Sequence, residues 1–175
     1  MTNELAKQIY QANKLKGWHE KERTFNELIL LIKSEMYEAF ESLRKGAFAS
    51  SLIVQQEYNS IKYGFFNPNA FKVSIKDTFE DEIADVAIRV LDMAAAKNIN
   101  AKIVKPIGLV KDLSLFSYFD IMTCECYVYC TELEVGKMLG WCIEVAKLYD
   151  FDLNAHISLK LAYNKTRPHK HGKLF

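Results

Sequence analysis

The chain has 175 residues, half of them apolar, which is enough for one well-buried domain and too few for two independent cores. Its 23 basic and 22 acidic residues leave a formal charge of +1, so no whole-molecule field steers it toward nucleic acid or an anionic membrane. A polar, amphipathic start and a longest aliphatic run of only Leu28 to Ile32 predict neither a signal peptide nor a membrane span.

Seven glycines and three prolines give little punctuation for a β-rich fold, while several segments repeat apolar residues at helical spacing, so an all-α helix bundle is expected. The first helix covers about Asn3 to Leu15 and ends near Gly17. A second runs from Arg23 or Thr24, an N-cap with Glu27 three residues on, to Lys45 before Gly46. Residues 47–76, rich in aromatics and broken by Gly64 and Asn67-Pro68-Asn69, read as an insertion that is helical only around Leu52 to Ile61. A third main helix follows from Asp77 or Thr78 to about Lys97. Lys105 to Gly108 is a loop, and Leu113 to Cys130 is assigned to helix despite an ambiguous composition. Glu132 to Tyr149 is helical, with Gly136 and Gly140 permitting close helix packing, and a last helix from Asp152 to Lys165 stops before Pro168. Residues 166–175 form a basic tail. Cys124, Cys126, Cys130 and Cys142 lack zinc-ribbon spacing and read as core thiols of a cytoplasmic protein; Cys126 and Cys130, one turn apart, give only a weak hint of a soft-metal or redox site.

On a wheel of the second helix, Leu28, Ile32, Met36, Ala39, Phe40 and Leu43 define an apolar arc. Glu35 falls inside its edge and Glu38 follows on the same flank. In the third, Phe79, Ile83, Val86, Val90 and Met93 form the arc, with Glu82 at its margin and Asp85 three residues on. An acidic pair at i, i+3 is usually a solvated face, and Asp85 can also pair with Arg89 at i+4. Two such pairs bordering the cores of two main helices point instead to convergence around one or two hard cations, magnesium before manganese and both before zinc. His156, Lys160 and Asn164 share a stripe on the last helix with Arg167 nearby, suited to phosphate oxygens. Trp18 is a core tryptophan or a platform for a base.

These residues resemble the MazG-like branch of the all-α NTP pyrophosphatase superfamily. The resemblance lies in GWHEKERTFNELILLIKSEMYEAFESLRKG, then EDEIADVAIRVLDMA, then KLAYNKTRPHKHGK, less than half the chain. The family's Glu-x-x-Glu and Glu-x-x-Asp correspond to Glu35, Glu38, Glu82 and Asp85, with a longer connection between them than in compact members. The resemblance implies hydrolysis of a ribo- or deoxynucleoside triphosphate to its monophosphate and pyrophosphate, and a homodimer or homotetramer.

On this reading magnesium is held by Glu35, Glu38, Glu82 and Asp85. Glu38, the carboxylate further from the apolar arc, takes a proton from the attacking water. Lys160, Asn164 and Arg167 hold outer phosphates and Trp18 or an aromatic of the insertion covers the base. No Walker loop, H-E-x-x-H, Glu-x-x-His or hydrolase nucleophile setting offers a competing chemistry. The alternative is a non-catalytic nucleotide sensor or scaffold on the same fold. A nucleic-acid binder acting through Lys165, Arg167, His169, Lys170, His171 and Lys173 ranks third, because the net charge is near zero.

Overall fold

The computed structural model describes residues 3–100, 102–106, 108–112, 114–126 and 131–172. Among them are eight α-helices and no strand, in agreement with the all-α expectation: α1 (Asn3–Leu15), α2 (Phe25–Lys45), α3 (Ser51–Lys62), α4 (Pro68–Ser74), α5 (Phe79–Ala96), α6 (Ser114–Cys126), α7 (Glu132–Leu148) and α8 (Leu153–Thr166). A single 3-10 turn, His169–Gly172, follows.

Local chemistry explains the boundaries of α2. The Thr24 hydroxyl accepts from the Glu27 amide at 3.3 Å, and the Glu27 carboxylate accepts from the Thr24 amide at 2.7 Å. At the other end Gly46 takes a left-handed φ of 65°, which a side chain would oppose. Residues 47–76 are more helical than expected. Asn67-Pro68, read as a turn, is an N-cap and first-turn proline: the Asn67 side chain accepts from the Asn69 and Ala70 amides and α4 begins there. The Leu113 to Cys130 segment is helical from Ser114 to Cys126, and its remaining residues, Cys130 included, lie outside the described ones.

α5 is the central element, packing against α1, α2, α7 and α8. Ile83, Val86, Ala87, Val90 and Met93 are wholly buried, each larger side chain contributing about 1.5–3 kcal/mol relative to exposure. α2 runs antiparallel to it, since Ser42 near the end of α2 bonds Asp77 before α5, while Glu35, earlier in α2, meets Arg89, later in α5. α7 buries Trp141, whose indole donates to the Leu115 carbonyl at 3.0 Å and ties α6 to the core. A second cluster of Val54, Phe71, Ile75, Ala155 and Leu159 seats α3 and α4 on α8, so the connection between the acidic helices carries a small core of its own.

Gly136 and Gly140 do not receive another helix. The extended segment around Lys102 to Pro106 lies across them, with the Val104 amide donating to the Gly136 carbonyl at 3.0 Å, and a Cβ at either glycine would run into a carbonyl oxygen of that segment. Gly140→Ala is therefore expected to destabilise the fold by about 1–3 kcal/mol, lowering the midpoint by several degrees in a thermal melt. An unchanged midpoint would contradict the close approach. The core-thiol reading holds for Cys126 and Cys142, whereas Cys124 is exposed with its sulfur 3.6 Å from the Lys33 ammonium. None of the described helices is long and apolar enough to cross a membrane.

Candidate functional site

Where α2 and α5 meet the end of α8 lies a hollow of about 160 Å³. Glu35 and Glu38 reach it from α2, Glu82 and Asp85 from α5. Lys160 and Asn164 line it from α8, Arg167 from the residue after that helix, and Trp18 from the turn after α1. Eight of the side chains singled out in the sequence thus share one hollow.

Within it, one carboxylate oxygen from each of Glu35, Glu38 and Glu82 lies within 4.8 Å of the others. Glu35 and Glu82 are buried and Glu38 is exposed, as expected from its position beyond the apolar arc. Asp85 stands apart from this trio, because its Oδ2 is 2.6 Å from the Lys160 ammonium. That ammonium is buried and also bonds Asp81 Oδ2 at 2.7 Å, so Lys160 is clasped between two carboxylates of α5. Arg89, spaced so that it could have competed for Asp85 along the helix, donates through Nε to Glu35 at 2.9 Å.

Burial and Asp85 together push the Glu82 carboxyl up to about 9, and its Oε2 is buried without a partner. Glu35 is raised by burial and by Asp85, with Arg89 opposing. For Lys160 burial opposes the charge, but Asp85, Asp81 and Glu82 outweigh it and the side chain stays an ammonium. This donor set fits a hard divalent cation: all-oxygen ligands, one of them an orphaned buried oxygen, in a hollow that disfavours its own ionised form until positive charge is supplied.

Compared with models of known families, with curated proteins and with solved structures, the chain matches none.

Some expected positions carry a different environment from the one foreseen. Trp18 is only 5% exposed: the Arg23 and Arg89 guanidiniums lie 5.8 and 5.7 Å from its ring and His171 meets it edge-on at 5.4 Å. His156, placed on one stripe with Lys160 and Asn164, does not line this hollow at all. It is buried against Phe151, facing a separate cavity. The described part of the basic tail, residues 166–172, folds back beside the hollow. Lys16 donates to the Lys165 and Arg167 carbonyls, Lys170 pairs with Glu20 at 2.8 Å, and His171 joins the lining. Burial and the Arg167, Arg89 and Lys16 charges push His171 down to about 4, so the ring is neutral there.

Asp81, the wholly buried partner of Lys160, went unnoticed in the sequence. The usable signal was its i, i+4 spacing to Asp85, which sets both on one face.

Proposed function

We propose that this chain is a magnesium-dependent nucleoside triphosphate pyrophosphohydrolase on an all-α NTP pyrophosphatase fold, acting on the cytoplasmic nucleotide pool. The observation that carries the reading is the Glu35, Glu38 and Glu82 trio converging in a hollow also lined by cationic side chains. A divalent ion there supplies neutralisation of the phosphate chain and acidification of a water. Manganese suits the same oxygens.

The remaining steps belong to the chain's own residues. Glu38, the exposed member of the trio, accepts the proton of the attacking water as its oxygen bonds to the α-phosphorus. The bond from that phosphorus to the α-β bridging oxygen breaks and pyrophosphate leaves. Arg167, Asn164 and Lys76 line the hollow where the departing phosphates would lie. Asn164 Oδ1 is buried without a partner and is free to accept from a protonated phosphate or a water.

Lys160 has a different role from a direct phosphate grip. Clasped by Asp81 and Asp85, it fixes the α5 carboxylates relative to α8 and is a positioning residue. Ligation by Asp85, the fourth carboxylate, requires it to share its second oxygen or turn from Lys160.

A hollow of about 160 Å³ is below the usual size for a whole small-molecule ligand and suits phosphates alone. Past Trp18 an adjoining hollow of about 390 Å³, lined by Lys21, Arg23, Leu30 and Leu31, has room for the nucleoside part.

The proposal is tested by incubating the protein with a panel of ribo- and deoxynucleoside triphosphates, with magnesium or with excess chelator, and separating the products. Monophosphate plus pyrophosphate from at least one substrate, and none with chelator, is expected. Release of orthophosphate would overturn the bond assigned. Magnesium-dependent nucleotide binding without turnover would leave the sensor reading in its place.

A further inference from the structure

On the other side of Lys160 lies a second cavity, of about 460 Å³. α8 divides the two: Lys160 faces the acidic hollow, and His156, one turn earlier, lines the second cavity. Its opposite wall is α3, which contributes Gln55, Tyr58 and Asn59, and its rim includes Asp150, Phe151 and Asp152.

Charge narrows what the cavity accepts. Glu80, Asp150 and Asp152 line it, and among the described residues no lysine or arginine does, so a phosphorylated ligand would meet repulsion without a counter-charge. The carboxylates do not converge as metal ligands either: among the described residues the only such group is the Glu35, Glu38 and Glu82 trio.

His156 supplies the sign that something polar belongs here. The residue is 3% exposed, and its Nδ1 is buried with no partner. Burial pushes the imidazole down to about 4, so it presents one donor and one acceptor nitrogen instead of a charge. A buried ring nitrogen without a protein partner calls for an explanation, and because His156 is among the residues that line the cavity, a ligand there offers one.

The rest of the lining describes that ligand. Tyr58 and Phe151 offer flat apolar surface. Gln55 and Asn59 stand one turn apart on α3, and each amide both donates and accepts, as the edge of a nucleobase requires. The carboxylates accept from sugar hydroxyls or exocyclic amines. The volume falls within the range that encloses a ligand of this size.

We infer that this cavity is a second binding site, for an unphosphorylated nucleoside, with the base against Tyr58 and Phe151, its edge on Gln55 and Asn59, and its donors toward His156 and the carboxylates. The site is separate from the acidic hollow and does not depend on hydrolysis there.

Calorimetric titration of the full chain with a panel of nucleosides and their 5′-monophosphates, in chelator and without magnesium, tests it. At least one nucleoside should bind with a Kd of about 1 mM or tighter, and its monophosphate about tenfold more weakly or not at all. Gln55→Ala and Asn59→Ala, both at exposed helix positions that the fold tolerates, should each weaken binding about fivefold or more. Leu30→Asp, which alters the hollow beside Trp18, should leave the Kd within about twofold. Absence of nucleoside binding, equal binding of the monophosphate, or a larger effect from Leu30→Asp than from Asn59→Ala would each overturn the inference.

Discussion

Glu82→Gln should abolish turnover and, in the metal-free protein, raise thermal stability. The side chain is 3% exposed, with Oε2 buried and unpaired, and burial and Asp85 raise its carboxyl from an ordinary 4.5 to about 9. The unfolded chain therefore gives up this proton near pH 4.5 while the folded one keeps it to about pH 9. The stability contributed by the group is fully present below the lower value and is lost as pH rises through the window, by up to about 1.4 kcal/mol per unit. An isosteric amide carries no such penalty. At pH 7 the variant should gain up to about 3.5 kcal/mol, roughly 7–14 °C for a chain of this size, and the gain should vanish near pH 4.5. Magnesium should stabilise the wild type and not the variant. Activity above about a tenth of wild type would sink the ligand assignment, and a variant that melts lower than wild type at pH 7 would remove the electrostatic argument.

Lys160→Met acts in the opposite direction on the fold. Its ammonium, 5% exposed, is shared by Asp81 at 2.7 Å and Asp85 at 2.6 Å, and Asp81 is wholly buried. Removing the cation takes away the counter-charge of both carboxylates; Asp81, which burial already pushes up to about 7 beside Lys160, must then take up a proton or stay uncompensated, at a cost of about 3–5 kcal/mol that is largest above neutral pH. A midpoint lowered by roughly 10 °C is expected. The Asp81→Asn change added to it should recover more than half of the loss, because the amide needs no counter-charge. Denaturant titration of the single and double variants measures this coupling directly. A double variant no more stable than Lys160→Met alone would show that the clasp does not hold α8 to α5.

Features governed by neighbours in the chain were legible in the sequence. The Thr24 and Glu27 capping box, the Gly46 stop and the i, i+3 acidic pairs each lie within one or two turns, so their chemistry is written locally. The pairing of Lys160 with Asp81, 79 residues apart, has no such signature, so Lys160 was read toward phosphate and Asp81 went unnoticed. Glu80, Asp81 and Glu82 are all buried, because α8 packs on the start of α5, with Lys160 on Asp81, and the residues before α3 meet it too, the Ala49 amide donating to Glu80 at 3.0 Å. Gly136 and Gly140 announced a close approach that was assigned to another helix, and an extended segment fills the role as easily, because small residues set the distance and not the partner. His156 shares helical spacing with Lys160 and Asn164, but α8 is buried on more than one side, so a stripe on it does not open onto a single hollow.

Magnesium binding measured by calorimetry at pH 6 and pH 8, in buffers of different ionisation enthalpy, decides whether the acidic hollow is a cation site. Because Glu82 must lose its proton to act as a ligand, binding should release protons and tighten by several-fold or more between the two pH values, and Glu82→Gln should bind at least about tenfold more weakly. Absence of binding up to about 10 mM magnesium, or equal binding by wild type and Glu82→Gln, would contradict a cation site there.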